Sequence, residues 1–433
     1  MRVAIVGGGV SGNVTAWLLS QDHDITLFEA ADYLGGHTNT IDVEAYGEKY
    51  TVDTGFMVFN DRTYPEFCRL LDQLGVASRD SDMSFSVRCE RTGLEYQGSS
   101  LDGLFAQRMN LFNPRFYQML GDVLRFNRTS IEFLNQDDDQ TTLGDYLTAE
   151  KYGRRFIECY LVPMTAAIWS ARPDRVLDMP ARFLIAFFQN HGLLQLRDRP
   201  QWKTVVGGAR SYVAALTASF QNRIRLSTPI QSVVRGEDHV IVKPVAGEAE
   251  VFDEVVFACH ADQTLAILED PTEEEQRILG HFEYQLNRAI VHTDESLLPK
   301  RRRAWASWNY HIPAKMDSSV TVTYDLNRLQ GLEAPGPICV TLNDDGCIDE
   351  ETVLESMDYH HPVFGPGTLA AQNAHSQISG RRRTHFCGAY WGYGFHEDGV
   401  RSALKVAKSF NIGPELCEVA STRGSSGTVV SSR

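Results

Sequence analysis

The residue pattern with the clearest chemical meaning is Gly7-x-Gly9-x-x-Gly12, which Glu29 follows further along the chain. In this spacing the first glycine permits a tight turn and the second lets the backbone approach a pyrophosphate. The third lets a helix pack closely on a strand. A carboxylate at the position of Glu29 can accept hydrogen bonds from ribose hydroxyls. The pattern therefore predicts a dinucleotide site whose phosphates meet the free N–H groups at a helix N-terminus.

Two short apolar runs supply the elements that such a site needs. Residues 3–6 form a β-branched run typical of a buried parallel strand, and residues 25–28 form a second strand that ends at Glu29. The intervening residues 13–20 are helical in character. The alternative is a glycine-rich turn in an ordinary α/β core. Because a strand begins at residue 2 or 3, we expect no signal peptide before it.

Composition limits the other classes of function. The chain has 433 residues, enough for two domains or for one domain with a large insertion. Its net charge of −15 argues against nucleic-acid binding. The longest apolar piece, residues 183–188, is too short to span a bilayer. Eight cysteines without a C-x-x-C pair indicate free thiols in the cytoplasm, and no histidine spacing is typical of a metal site.

Composition shifts near residue 62 and at residues 202–208 divide the chain. Tyr64-Pro65 starts a predicted helix, residues 84–89 alternate like an edge strand, and residues 101–196 are predicted to be largely helical. Segments 1–60, 200–270 and 380–412 have α/β character and are predicted to combine into a nucleotide-binding domain. Residues 61–199 and 271–379 then build a second domain, and the tail 413–433 is expected to be disordered from about residue 421.

Three motifs occur along the chain in an order that is typical of one group of enzymes. They are the first pattern extended by Gly35-Gly36, the middle Val206-Gly207-Gly208, and Phe386-Cys387-Gly388 with Glu397-Asp398-Gly399. In these motifs the chain resembles flavin-containing amine oxidases, phytoene desaturases and protoporphyrinogen oxidase. Within this group, the chain most resembles a bacterial subgroup of predicted NAD/FAD-binding oxidoreductases. Members of that subgroup are often associated with cyclopropane-fatty-acid-synthase-like enzymes. The motifs shared with this subgroup are Trp169-Ser170, Asn190-His191-Gly192, Ser307-Trp308-Asn309-Tyr310 and residues 394–399.

The resemblance implies an α/β fold in which a Rossmann-like FAD-binding domain is interleaved with a substrate domain of mixed sheet and helices. It implies FAD held without a covalent bond, since Cys387 does not stand where amine oxidases carry such a bond. A helix starting at Gly399 would direct the amides of Gly399 and Val400 to the flavin. The implied cofactor-binding residues are Gly7, Gly9, Val10, Ser11, Gly12, Glu29, Ala30, Gly35, Gly36, His37, Thr38, Thr54, Gly55, Phe56, Ile230, Val233, Gly388, Glu397, Asp398, Gly399 and Val400.

The chain departs from the family pattern at two positions next to the cofactor. His37 stands where relatives usually have an arginine on the pyrophosphate, and it either substitutes for that group or faces solvent. Ala389 stands where relatives often place a carboxylate that holds the ribityl chain, so backbone amides are expected to take this role.

The catalytic positions differ as well. Amine oxidases commonly place a lysine where this chain has Asn287 or Arg288, and an arginine is a poor base because its charge is effectively permanent. In amine oxidases an aromatic cage orients the amine beside the flavin, and His396 stands where one wall of that cage is expected. We name His396 and Arg288 as candidate catalytic residues. His396 could move a proton, with helix capping as its alternative role.

Four further features carry two interpretations each. His191 lines the substrate pocket or caps a helix, and His260 lies near the cofactor or only ends a strand. The aromatic residues 390–395 wall the flavin pocket or belong to the core. Lys300–Arg303, beside Trp305 and Trp308, contact a membrane interface or form a solvated charge run.

These features favour an FAD-dependent oxidoreductase that dehydrogenates or desaturates an apolar substrate, a lipid or a fatty-acyl chain, by hydride transfer to flavin. The alternatives are a flavin amine oxidase acting on a small amine and a non-redox flavin isomerase. A third is a non-catalytic flavin-binding partner of a lipid-modifying methyltransferase. The expected partners are a small-molecule or lipid substrate and this methyltransferase. The expected location is the cytoplasm, in contact with the inner face of the membrane.

Overall fold

A computed structural model describes residues 1–136, 138–170, 173–195, 197–314, 321–344 and 346–412. The tail predicted to be disordered lies outside these ranges. Within them, no helix combines the length and the apolar character needed to cross a bilayer.

The strands of the described chain are numbered in chain order. They are β1 (Arg2–Val6), β2 (Asp24–Phe28), β3 (Thr40–Ala45), β4 (Glu48–Asp53), β5 (Phe59–Asn60), β6 (Ser78–Asp80), β7 (Phe85–Cys89), β8 (Leu94–Gln97), β9 (Trp202–Val205), β10 (Ile224–Arg225), β11 (Ile230–Arg235), β12 (Val240–Pro244), β13 (Glu250–Phe252), β14 (Glu254–Phe257), β15 (Glu283–His292), β16 (Trp308–Ile312), β17 (Thr321–Asp325), β18 (Cys339–Leu342), β19 (Val353–Val363) and β20 (Thr384–Phe386).

The α-helices are numbered in the same way. They are α1 (Val10–Leu19), α2 (Pro65–Leu74), α3 (Leu101–Leu104), α4 (Pro114–Phe133), α5 (Leu143–Ala149), α6 (Arg154–Phe156), α7 (Val162–Trp169), α8 (Pro173–Val176), α9 (Ala181–Asn190), α10 (Arg210–Thr217), α11 (Ala261–Ile267), α12 (Glu273–Leu279), α13 (Leu326–Leu329), α14 (Thr368–Asn373), α15 (His375–Ile378) and α16 (His396–Ser409).

A five-stranded parallel sheet, in the order β10-β2-β1-β14-β20, organises the nucleotide-binding half. Its strands come from distant parts of the chain, and β1 at the N-terminus pairs in register with β14 through Val3 opposite Glu254. Val3, Ala4 and Ile5 are fully buried, as the β-branched run predicted. The α/β class and the Rossmann-like sheet are confirmed, while the boundaries of the two domains stay a prediction.

A mixed seven-stranded sheet, in the order β19-β15-β18-β17-β16-β7-β8, forms the second half. Helices between residues 101 and 195 pack with it in one apolar core, in which Phe116 and Phe183 join Val87 and Tyr310. The helical character predicted for this region is confirmed. The edge-strand prediction for residues 84–89 is wrong, because β7 lies between β16 and β8 and β8 takes the edge.

The last helix begins earlier than the sequence indicated. We expected it to start at Gly399, but α16 begins at His396. The Asp398 carboxylate accepts hydrogen bonds from the backbone N–H groups of Tyr393 and Phe395, both at 3.0 Å, and so defines the first turn. The capping carboxylate lies three to five residues after the N–H groups that it binds. We predicted the helix start from Gly399, and the glycine does not indicate this cap.

Candidate cofactor and active site

One large cavity, of about 1110 Å³, runs between the parallel sheet and the seven-stranded sheet. The turn after β1 lines one end together with Glu29. Aromatic and apolar side chains from the second half of the molecule line the other end. Drug-sized ligands occupy pockets of roughly 300–1,000 Å³. The cavity is therefore large enough for an extended cofactor and a second molecule.

The three glycines of the first motif have different surroundings. Gly7 has a φ of +109°, and a Cβ there would lie 2.8 Å from the backbone of Ala258. A Cβ on Gly12 would overlap the carbonyl oxygen of Gly7. A Cβ on Gly9 would meet no protein atom within 4 Å, because Gly9 faces the cavity. The protein itself thus requires Gly7 and Gly12, and the open space at Gly9 fits the close approach of a ligand.

Helix α1 presents free backbone donors at the same place. Its first internal hydrogen bond runs from the Asn13 N–H to the Gly9 carbonyl at 2.9 Å. The N–H groups of Val10 and Ser11 precede that bond, and both residues line the cavity. A helix N-terminus of this kind is a ready site for a phosphate.

Glu29 is fixed at the cavity wall by two backbone donors. Its Oε2 accepts a hydrogen bond from the Gly8 N–H at 2.6 Å, and its Oε1 accepts one from the Ala31 N–H at 2.8 Å. Each carboxylate oxygen has a second lone pair, so the oriented group can still accept hydroxyl donors. The Gly35 N–H donates to the Gly8 carbonyl at 2.8 Å and fastens the second glycine pair to this turn.

His37 belongs to a group of aromatic side chains at the cavity wall. Its ring lies 5.0 Å from both the Tyr359 and His361 rings and 6.2 Å from the His260 ring. Its Nε2 is buried and has no hydrogen-bond partner in the protein. Burial lowers the pKa of His37 and of His260 to about 4, and neighbouring histidines add to the effect. The arginine expected from relatives is thus replaced by a neutral imidazole with a free nitrogen.

His396 is also at the wall but is held firmly. Its Nε2 lies 2.8 Å from Thr38 Oγ1 and 3.0 Å from the Tyr212 hydroxyl, and its ring stacks on Phe56 with centroids 3.4 Å apart. Burial lowers its pKa well below the ordinary value, with a smaller effect from His37. His396 is therefore neutral near neutral pH, and its Nε2 is engaged by these two hydroxyl groups.

The acidic residues after His396 do not reach the cavity. Glu397 caps α2, since its Oε2 accepts hydrogen bonds from the Glu66 N–H at 3.1 Å and the Phe67 N–H at 3.0 Å. The Gly399 N–H donates to the Phe395 carbonyl within the helix, so it is not a free amide. The helix N-terminus expected at Gly399 and Val400 therefore lies at His396–Asp398.

The predicted site residues divide into two groups. The cavity wall includes His396 and fourteen of the predicted cofactor residues, Gly7, Gly9, Val10, Ser11, Glu29, Ala30, Gly35, Gly36, His37, Thr54, Gly55, Phe56, Ile230 and Gly388. It does not include Gly12, Thr38, Val233, Glu397, Asp398, Gly399, Val400 or Arg288.

Three of these exclusions have clear physical reasons. Val233 is fully buried in an apolar core between the sheet and α11, whereas Ile230 on the same strand reaches the cavity. Arg288 is exposed on β15 and does not line the cavity. The prediction that Arg288 contacts the reacting atoms is therefore corrected. Thr38 lies behind His396 and positions it.

The structure also adds residues that the sequence did not single out. Tyr359, His360 and His361 on β19 line the cavity beside His260 and Tyr284. Tyr284 stacks on His260 with centroids 4.3 Å apart. An adjacent pair of histidines late in the chain carries no motif, and only the pairing of β19 with β15 brings it here.

The far end of the cavity is aromatic and apolar. Phe187 stacks on His191 at 3.8 Å and on Phe395 at 5.3 Å, and Trp169 lies 4.5 Å from Phe187. His191 combines both predicted positions, because it lines the cavity and its Nδ1 lies 3.1 Å from the Phe187 carbonyl. Ala389 also lies at the wall, next to Gly388.

Comparison with known proteins identifies the family to which the chain belongs. The sequence profile described as flavin containing amine oxidoreductase matches residues 10–338. The chain belongs to this family. Its cofactor is FAD, and it is an FAD-dependent oxidoreductase. Cys387 is fully buried, with Sγ 3.7 Å from Thr15 Oγ1 and away from the cavity, in agreement with a non-covalent cofactor.

Solved structures share the fold at low sequence identity. A fatty acid isomerase from P. acnes has 15% identity and a TM-score of 0.68, with 94% of this chain and 98% of that chain covered. A redesigned putrescine oxidase has 16% identity and a TM-score of 0.69, with 95% and 98% covered. A putative protoporphyrinogen oxidase from Exiguobacterium sp. has 18% identity and a TM-score of 0.67, with 94% and 98% covered. No curated protein sequence matches the chain significantly.

The glycine surroundings predict opposite effects for two matched substitutions. Gly9→Ala should leave the free energy of unfolding of the FAD-free protein within about 0.5 kcal/mol of the parent and weaken FAD binding at least tenfold, because the methyl group enters the space for the pyrophosphate. Gly12→Ala should lower the free energy of unfolding by about 1–3 kcal/mol, because the methyl group overlaps the Gly7 carbonyl. Urea unfolding and fluorescence titration with FAD measure both effects. Equal stability losses in the two variants would contradict this assignment.

The neighbouring histidines His37, His260 and His361, which we call the histidine group, should make the stability of the FAD-free protein depend on pH. His37 has a folded-state pKa of about 4 against 6.5 for the free side chain, so the unfolded chain binds its proton first. Its contribution to stability is complete above about pH 6.5 and falls as the pH drops toward about 4. His37→Gln should reduce the stability lost between about pH 7 and about pH 5 by about 2 kcal/mol. Asp53 and Asp398, whose pKa values are raised to about 6, act in the opposite direction in both proteins and cancel in the comparison. Parallel pH profiles of parent and variant in urea unfolding would refute it.

Proposed function

We propose that the protein removes a hydride from, or desaturates, an apolar substrate that carries a lipid or fatty-acyl chain. The observation that carries this proposal is the apolar end of the cavity. Its wall includes Met83, Phe85, Tyr96, Tyr160, Met164, Ile168, Trp308, Tyr324 and Leu342. Among the described residues of this wall there is no lysine, and the charged side chains Asp82 and Arg199 are exposed at the rim.

FAD, when bound, accepts a hydride from a carbon atom, which is the chemistry this reaction requires. The chain supplies binding, orientation and exclusion of water. The rings of Phe187, Phe395 and Trp169 contact one another at the cavity wall and keep this end apolar. An acyl chain gains about 0.8 kcal/mol for each methylene group that it buries in such a space.

Neither candidate for the lysine position, Asn287 or Arg288, lines the cavity, and this supports a non-amine substrate. Asn287 is fully buried, and its side chain is engaged by Gln285, by His361 Nδ1 at 2.8 Å and by Asn343 at 2.7 Å. An amide cannot serve as a base, and this one fixes the strand behind the histidine group. Two neutral imidazoles, His396 and His191, then lie at the cavity wall, and His191 stacks on Phe187 in the aromatic end.

A small amine is the second candidate substrate, and the aromatic cavity wall itself favours it. Faces of Trp, Tyr and Phe attract cations at short range, and Trp169, Phe187 and Phe395 lie together at the cavity wall near His191. Among proteins of similar fold, one is a putrescine oxidase and another is a fatty acid isomerase. The fold therefore accommodates both substrate classes, and the reaction has to be decided by experiment.

Anaerobic mixing of the FAD-bound protein with candidate substrates tests the proposal. We expect a fatty acid or a phospholipid to bleach the flavin absorbance, and polyamines or aromatic amines to leave it unchanged. Met164→Arg should slow the bleaching at least tenfold, because a cation in the apolar wall is costly, and should leave flavin content unchanged. Peroxide release with amines would establish an amine oxidase instead. A rearranged lipid without net bleaching would indicate an isomerase. A flavin that no lipid reduces, in a protein that co-purifies with a methyltransferase, would indicate the accessory role.

A further inference from the structure

A group of exposed apolar side chains surrounds the short helix α3 and the turn that follows it. Leu101 and Met109 are each 77% exposed and Phe112 is 81% exposed, with Leu111 beside them. Monomeric proteins rarely leave large apolar side chains clustered and open to water without a function. We call these four residues the α3 patch.

The patch is a firmly built surface. Phe105 is anchored against Phe116 with ring centroids 5.7 Å apart, and Phe116 is fully buried. The Tyr117 hydroxyl donates to the Leu111 carbonyl at 3.2 Å, and Arg108 Nη1 donates to the Phe105 carbonyl at 2.8 Å. These contacts hold the backbone in place while the four apolar side chains point to solvent.

Basic side chains border the patch, although the chain as a whole is acidic. The turn 302–304 lies against α3, and Arg303 pairs with Asp102 at 3.5 Å. Arg108 pairs with the same carboxylate. Segments 95–117 and 295–303 together carry six basic and three acidic residues, in a chain with a net charge of −15. Lys300 and Arg301–Arg303 are all exposed. Arg302 stacks over Trp305 at 5.2 Å, an arrangement suited to a polar–apolar boundary.

The cavity opens beside this surface. Gly98 and Ser99 line the cavity and are also exposed, and they directly precede α3. The apolar wall of Tyr96, Tyr160 and Met164 continues inward from there. A lipid that entered at this point would pass from a bilayer into the apolar end without crossing water; this last step rests on the proposed function.

We propose that the α3 patch and its basic border dock on the surface of an anionic lipid bilayer. Apolar side chains enter the acyl boundary while the Lys300–Arg303 group pairs with headgroup phosphates. A neutral bilayer would meet only the apolar half of this surface. The docking requires neither FAD nor a lipid substrate.

Co-sedimentation of the FAD-bound protein with vesicles tests this proposal. We expect binding to phosphatidylcholine vesicles that contain phosphatidylglycerol, weaker binding to phosphatidylcholine alone, and weaker binding at high salt. Met109→Ser with Phe112→Ser should weaken binding at least tenfold. Arg302→Gln with Arg303→Gln should weaken it about tenfold and reduce the preference for phosphatidylglycerol.

Val245→Ser with Val251→Ser is the matched control, since these valines are also exposed but lie near the β12–β13 turn. This variant should bind vesicles as the parent does, and all variants should keep their flavin content. Absence of vesicle binding by the parent, or equal binding by parent and patch variants, would overturn the proposal and favour a protein partner at this surface. Vesicle binding by a protein whose flavin no lipid reduces would refute the proposed function and leave the docking surface intact.

Discussion

The close backbone contact between the turn after β1 and the end of β14 determines the rest of the site. Gly7 lies against Ala258 so tightly that a Cβ would come within 2.8 Å of its carbonyl carbon, and Gly12 lies directly over the Gly7 carbonyl. This contact brings α1 onto the parallel sheet and directs its N-terminus into the cavity. The Gly35 N–H then bonds to Gly8 and positions His37 at the wall. The position of the α1 N-terminus at the nucleotide end follows from this close approach.

The opposite wall is held by contacts between parts of the chain that are far apart in sequence. Glu397 at the start of α16 caps α2, and His396 next to it bonds to Thr38 and Tyr212. One turn of helix thereby joins three segments. Since His396 is fixed by two hydroxyl groups and by Phe56, its position at the wall depends on all three.

Local patterns in the sequence predict local structure well in this protein. The glycine motif, the strands on either side of it and the position of Glu29 depend on neighbouring residues, and the structure has them as expected. The start of α16 was placed three residues late because the Asp398 side chain caps backward to Tyr393 and Phe395. Arg288 was placed by alignment to a catalytic lysine, and the alternation of β15 turns it outward while Asn287 is buried.

Other residues could not be found from the sequence because strand pairing alone brings them to the site. Tyr359 and His361 reach His37 only through the pairing of β19 with β15, and no motif marks either residue. The α3 patch is similar, because α3 and the basic turn 302–304 come together only in the folded chain, where Asp102 pairs with Arg303. Site residues near the glycine motifs can therefore be predicted from the sequence, and site residues on the seven-stranded sheet cannot.

A crystal structure of the protein with FAD and a long-chain fatty acid is the decisive measurement. We expect the pyrophosphate at the N–H groups of Val10 and Ser11 beside His37, and the acyl chain along Tyr96 and Met164. A pyrophosphate bound away from Gly9, or a fatty acid bound outside the cavity with the apolar end empty, would contradict the proposed site.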